Sequence, residues 1–548
     1  MKYLLIVLLL INWMIPVNAQ VSESFEIDFT YEKAKTKIVN RNQGGLLVNV
    51  SPEDLKKFNT EGTIRYSDFG ASGDGKTDDI YAIAATHAFA NQHGLSVKAD
   101  EEATYFIGGN AITAIIQTDT DFGSARFIID DKEVEDRDAP VFLVKSEKES
   151  FIPEQISSLK RGQEKIALSL PGTSLITVSD SLKMHYIRYG LNQNSGSPKT
   201  GIFVVDKEGN VDMEAPIIWD FDKITSIELL PVDETKLTIS GGEFITIANQ
   251  AESEYNYYSR NISIRRSNVL VDGLKHFIQG EGDQGAPYRG FINIGKCAYV
   301  TIQNCTFTGH KTYVTIGRAG KAVSMGSYDI SVNRALNVSF INCKQTNDIN
   351  DSEYWGIMGS NYCKNLLYDQ CTLSRFDAHK GVANATIRNS EPGHMGINAI
   401  GSGLLTVENT TVRGWSFINL RSDYGSTWQG EFTIRDCIFV PGNGRETSAS
   451  IINGNYSGKH DFGYTCYMPE KILFENFHID DSNHSENYKG PAIFADFNPE
   501  NTSKEYTEQY KYVITQEVIL NNVTTSSGKD IRLSDNPWMF REVELRKQ

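Results

Sequence analysis

Hydrophobic and polar positions alternate along the second half of the chain in short runs that keep ending the same way. The run Val300-Thr301-Ile302-Gln303-Asn304-Cys305 sets the form: apolar, any, apolar, any, a polar mark, then a small residue. It returns at 338–343, 366–371, 385–390, 405–410, 432–437, 472–477 and 518–523, and more loosely at 262–267. The polar marks are Arg266, Asn304, Asn342, Gln370, Asn389, Asn409, Asp436, Asn476 and Asn522. The shortest steps between them, about twenty residues, read as a bare unit. Longer steps read as one unit plus a loop, or as two units of which one is less legible.

Period-two alternation predicts strands buried on one face. A unit this short cannot enclose a core alone, but stacked units can, as a parallel β-solenoid. In-register stacking places equivalent residues ~4.8 Å apart. The Asn marks then form a ladder at a turn where left-handed backbone is tolerated. Cys305, Cys343, Cys371 and Cys437 each follow a mark, so they share an inward column. We read them as buried thiols rather than bridges, although the chain holds seven cysteines.

Nearer the front, the Gly-rich stretch Tyr66–Asp79 contains Phe69-Gly70-Ala71 and Gly73-Asp74-Gly75-Lys76-Thr77-Asp78-Asp79, with Ala82-Ile83-Ala84-Ala85 just after it. This resembles the N-terminal signature of pectate-lyase-like right-handed parallel β-helix proteins. The resemblance implies an all-β chain, a right-handed parallel β-helix (solenoid) with an N-terminal cap helix. Asp78 and Asp79 are then helix-start and turn residues rather than catalysts.

The expected organisation is a signal peptide over 1–19, an N-terminal extension over 20–60, and the start of the β-helix with its cap over 61–125. A small β-rich insertion comes next, over 126–240, then the parallel β-helix over 241–525 and a C-terminal cap over 526–548. The signal peptide rests on Lys2, the apolar run Tyr3–Val17 and the small residue Ala19. It implies export, to a periplasm or beyond, without membrane insertion. The acidic run 130–138 reads as solvated surface.

Net charge is -16 over 548 residues, which argues against a general nucleic-acid binder. Residues 261–425 run the other way, with 16 basic and 12 acidic residues, so a locally positive groove for an anionic ligand is expected there. The densest constellation is Arg375, His379 and Lys380, followed by His394, Asn398, Arg421 and Tyr424. Counted from the marks Gln370 and Asn389, Arg375 should stack beside His394 and His379 beside Asn398, with Asn347 one rung earlier in the first column. Arg375 and Asp377 could also form a plain surface bridge. Tyr354, Trp355, Trp415 and Trp428 are candidate sugar-stacking platforms.

An exported β-helix with a basic, aromatic-lined groove resembles polysaccharide-degrading enzymes. The resemblance implies a polysaccharide lyase that cleaves a uronic-acid polymer by β-elimination. Arg375, Arg421 and Asn398 would meet the carboxylate, His379 or Lys380 would act as base, and Tyr424 or His394 as acid. Calcium is used by several such lyases, and Asn347, Asp348, Asn350 and Asp351 could supply oxygen ligands. The expected partner is an acidic glycan, first a glycosaminoglycan such as chondroitin or hyaluronan, then pectin or alginate. The protein is expected as a monomer. The alternatives are a β-helical glycoside hydrolase and a non-catalytic glycan-binding β-helix.

Overall fold

The computed structural model describes residues 26–28, 47–153, 156–446 and 448–548. The expected signal peptide lies outside the described residues, as does most of the extension before residue 47. The chain folds as a right-handed parallel β-helix built on one continuous parallel sheet system.

The alternating runs are the rungs of that helix. Val269 pairs with Val300, Val300 with Val338, Val338 with Leu366, and Leu366 with Ala385. The column continues through Leu405, Phe432, Ile472 and Val518. Each run therefore pairs directly with the next, so a long step is one coil plus a loop, never two coils. The loose repeat at 262–267 is a correction: Ile262 pairs with Ile292 on a neighbouring face, and the true counterpart of Gln303 is Asp272.

The polar marks sit where the strand turns. Asn304, Asn342, Gln370, Asn389, Asn409, Asp436, Asn476 and Asn522 all have φ between 41° and 57°. This left-handed region strains most side chains, but Asn enters it at low cost. The Asn side chains also bond from rung to rung. Asn342 donates to Asn304 (2.7 Å), Asn409 to Asn389 (2.9 Å), Asn476 to Asp436 (2.9 Å) and Asn522 to Asn476 (2.8 Å). A second ladder, Asn337–Asn365–Asn384, runs at another corner. All seven cysteines are free and buried. Burial raises the thiol of Cys437 to about 12, so it stays a neutral space-filler.

At the front, the helix Ile80–His93 covers the end of the core, burying Ile80, Ile83 and Phe89. Asp79 accepts the backbone N–H groups of Ser72 (2.6 Å) and Gly73 (3.1 Å), which fixes the Gly-rich turn. Part of the expected extension is a second helix, Pro52–Glu61, whose Phe58 stacks on Phe69. The acidic run is not all surface: Asp131 is fully buried and accepts from Arg260 Nε at 2.8 Å. A buried charge persists only when paired, and Arg260 supplies that partner.

The insertion is narrower than 126–240. Thr120–Asp130 and Phe142–Lys145 pair in parallel with the coils. The inserted part is a three-stranded antiparallel sheet of Ser174–His185 flanked by Ser197–Val205 and Ser226–Pro231. It has its own small core of Ile176, Val178, Phe203, Phe221 and Leu229. The expected C-terminal cap also continues the coils, since Val518 pairs with Leu545. Among the described residues no helix is long and apolar enough to cross a membrane.

The ladder makes a direct prediction. Asn389 donates to Asp369 and accepts from Asn409 at φ 52°. Asn389→Ala should cost about 1–3 kcal/mol, from left-handed strain plus lost hydrogen bonds. Asn389→Gly should recover the strain part. Urea midpoints monitored by near-ultraviolet circular dichroism check the order Asn above Gly above Ala.

Candidate active site

The site lies on the face formed by Met358–Asn361, the first half of Thr372–Arg388, the first half of Glu391–Glu408, and Ser416–Leu420. The register between the two long strands slips. Leu373 pairs with Pro392, but Arg375 pairs with Gly396 and Asp377 with Asn398. Two extra residues therefore bulge from the second strand, and His394 and Met395 occupy the bulge. Its left-handed residue is Gly396, at φ 58°. The backbone N–H of His394 donates to Ile349 O at 2.9 Å, and Nδ1 donates to the same oxygen at 3.0 Å. The expected pairings of Arg375 with His394 and of His379 with Asn398 are thus corrected: counting from the marks assumes a bulge-free strand.

Charge concentrates around Asp377, which is fully buried. Arg375 Nη2 donates to its Oδ1 at 2.7 Å, and Arg421 Nη1 stands 3.8 Å from the same atom. Arg421 turns its Nη2 to Asp423 Oδ2 at 2.8 Å, and Arg188 Nη2 meets that oxygen at 2.8 Å. The Arg375–Asp377 contact is therefore an interior pair, not a surface bridge. Burial raises the Asp377 carboxyl, and Arg375 and Arg421 pull it back only in part. Burial opposes the charge on Arg421, but Asp423 and Asp377 outweigh it and hold the guanidinium protonated. Arg375 Nε and Nη1 and Asp377 Oδ2 have no hydrogen-bond partner among the described residues.

Arg375 is 1% exposed, beneath the ring of Trp355 and against Gly356. A Cβ at position 356 would lie 2.2 Å from Arg375 Cδ, so glycine is required there. Arg375 is thus held inside the fold against Asp377, with Trp355 packed over its guanidinium.

His379 and Lys380 are half-buried beside this cluster, and Tyr424 is buried. His379 Nδ1 lies 2.9 Å from Asn361 Oδ1. An amide oxygen only accepts, so Nδ1 carries the proton and Nε2 is left bare. Burial, then Arg421, Lys380 and Arg375, push the imidazole well below its ordinary range, so it is neutral. Lys380 Nζ donates to Ser197 Oγ at 3.2 Å and lies over the ring of Tyr362. Burial and the charges of Arg334 and Arg188 lower it to about 8. The Tyr424 ring packs edge-on against His379, with Arg188 over its face, and burial raises its hydroxyl to about 12. It therefore keeps its proton at neutral pH.

Other expected members lie elsewhere. Asn347 Oδ1 accepts from Gly309 N at 2.6 Å, while the residue packed against Arg375 is Gly356. Tyr354 forms a bridge with Lys311. Trp428 is a correction: it is fully buried, its indole donates to Gly403 O at 2.8 Å, and it packs over Gly401 in the core. Asn398 accepts from Asn419 Nδ2 at 2.7 Å and borders the cluster through its register with Asp377. The carboxylates of the turn read as possible calcium ligands are used within the turn. Asp348 accepts from Asn350 N and Asp351 from Glu353 N, both at 2.9 Å, and among the described residues no three His, Cys, Asp or Glu side chains are placed to hold one ion.

Several members were missed by the sequence. Arg188, Tyr186 and Ser197 come from the insertion, whose arm crosses the face. Tyr189 N donates to Asp423 O at 3.0 Å on one side, and Ala319 N to Leu191 O at 3.3 Å on the other. Their turn is rich in Gly, Asn and Ser, and nothing in that composition says which coil it will reach.

No protein-family model and no curated protein matches the chain. Solved structures resemble it distantly. The tailspike of Pseudomonas phage phi297 is 12% identical with a TM-score of 0.49, covering 84% of this chain and 80% of that one. A tailspike of Acinetobacter baumannii bacteriophage AP22, solved with a capsular saccharide, is 10% identical with a TM-score of 0.49, covering 91% and 81%. An exopolygalacturonase from Thermotoga maritima is 11% identical with a TM-score of 0.32, covering 86% and 92%. Likeness at this level assigns no chemistry. What defines the chain is its own geometry, a parallel β-helix bearing four basic groups against two carboxylates on one face.

The tautomer can be read directly. Long-range nitrogen–proton spectra of His379 should show a neutral ring protonated at Nδ1 throughout the ordinary histidine range. Titration near the ordinary histidine range would contradict the assignment.

Proposed function

We propose that the protein is a polysaccharide lyase acting on a uronic-acid-containing anionic glycan. The observation that carries this reading is a bare imidazole nitrogen held next to surplus positive charge. Arg188, Arg421 and Lys380 exceed what Asp423 and the already paired Asp377 neutralise. A uronate carboxylate supplies the missing negative charge. The C5 proton beside that carboxylate becomes more acidic when cations stabilise the enolate-like charge formed as it leaves.

In this reading Arg421 and Lys380 meet the carboxylate, and Arg375 acts through Asp377 to hold Arg421. His379 Nε2 removes the C5 proton. The electron pair forms the C4–C5 double bond, the C4–O bond breaks, and Tyr424 delivers a proton to the departing oxygen. His379 suits the base role better than Lys380, because it is neutral across the working range while Lys380 keeps its charge below about 8. Export and a glycosaminoglycan substrate belong to the same proposal.

A second reading has one observation behind it. Asp377 is raised by burial while Asp423 is lowered by Arg421 and Arg188, a split that suits an acid and a base in hydrolysis. The product separates the two. Elimination gives an unsaturated uronate with new ultraviolet absorbance, whereas hydrolysis gives reducing ends without it.

His379→Ala should lower kcat by about 10²–10⁴-fold with unsaturated product as the readout. Full activity in that variant would remove the base assignment. The pH profile gives an independent check: kcat/KM should fall as pH rises through about 8, where Lys380 loses its charge. Lys380→Arg should shift that limb upward, since arginine keeps its charge.

A further inference from the structure

The cationic cluster ends at Asn398, and a different surface begins there. Asn398 pairs with Asn419, and Asn419 with Asn453, on three successive rungs. Beside this column is a cleft of about 200 Å³ lined by His394, Met395, Asn398, Trp415, Asn419 and Asn453. Among the described residues no Asp, Glu, Lys or Arg lines it. Trp415 is 63% exposed, on the turn before Ser416–Leu420. Burying one side of an indole on a surface otherwise built from amides is the chemistry of a sugar ring: an apolar face to stack, hydroxyls to bond.

Core packing does not explain this arrangement. Trp428, on the same coils, is fully buried in the core, whereas Trp415 belongs to no buried cluster among the described residues. The amide column is only partly used. Asn398 bonds Met395 O and Asn419, and Asn453 accepts from Gly454 N, which leaves further amide donors and acceptors facing the cleft. The bulge that takes His394 away from the cluster is what carries it to this cleft.

We infer that Trp415 and the Asn398–Asn419–Asn453 column form a subsite for a neutral pyranose, next to the uronate held at Arg421 and Lys380. The inference rests on the uronate reading for its neighbour. Asn419 lies two residues before Arg421 on the same coil, roughly 7 Å along an extended strand and about the length of one sugar ring, so adjacent sugars of one chain can reach both sites. The site thus selects polymers that alternate acidic and neutral sugars, such as hyaluronan or unsulfated chondroitin. It disfavours uronate homopolymers such as polygalacturonate and alginate, whose second carboxylate would enter an uncharged cleft and lose its solvation.

Binding is measured separately from turnover, in the His379→Ala protein, by tryptophan fluorescence with oligosaccharides of all four polymers. An alternating oligosaccharide should quench emission and bind at least tenfold tighter than either homopolymer fragment. Adding Trp415→Ala should cost at least tenfold in that affinity, and Trp415→Phe less. Equal affinity for alternating and homopolymeric fragments, or unchanged affinity in Trp415→Ala, would overturn the subsite. These outcomes do not depend on elimination: if no unsaturated product forms in the wild-type protein, the uronate-lyase reading fails while the fluorescence result still decides the subsite.

Discussion

Parallel pairing in register is the constraint on which the rest of the molecule depends. Each rung is held by backbone hydrogen bonds to the rungs before and after, and no coil could close a core alone. Once Val300, Val338, Leu366, Ala385 and Leu405 are forced into one column, every outward side chain inherits a fixed height and direction. Side chains far apart in sequence become vertical neighbours. The Asn ladder is the same constraint at the corners, since each left-handed turn must repeat at the same place for the column to stay straight.

Function enters where that regularity is broken. The slip between Leu373–Pro392 and Arg375–Gly396 displaces two residues, and it separates a charged surface from an uncharged one. On the charged side, a buried Arg375–Asp377 pair anchors Arg421. Removing one partner of such a pair leaves an uncompensated buried charge, so the pair is a rigid support rather than a source of stability. The insertion then brings Arg188 and Ser197 across the face, so the cluster is assembled from the coils and a module outside them.

Much of this was legible in the chain. The polar marks from Asn304 to Asn522 revealed the rungs, and the small residue after each revealed the inward column, because both reflect period-two burial. Arg375, His379, Lys380, Arg421 and Tyr424 stand out in the sequence as a dense run of groups that handle protons and anions, and the fold brings them together. Their register was not found, because a bulge leaves the composition of a strand unchanged. Trp428 was misread for a related reason: only the partner strand shows Gly401 opposite it, which makes room for a buried indole. Arg188 left no trace at all, as an insertion's contacts depend on docking rather than on periodicity.

Everything proposed for the cluster requires that its surplus positive charge recognise a sugar carboxylate. Calorimetric titration of the His379→Ala protein with a uronate polymer, and with the same polymer after its carboxyl groups are reduced to alcohols, tests this most directly. Chain length and ring stereochemistry are unchanged between the two ligands. Binding to the native polymer and its loss after reduction is the predicted result. Equal binding to both would contradict it.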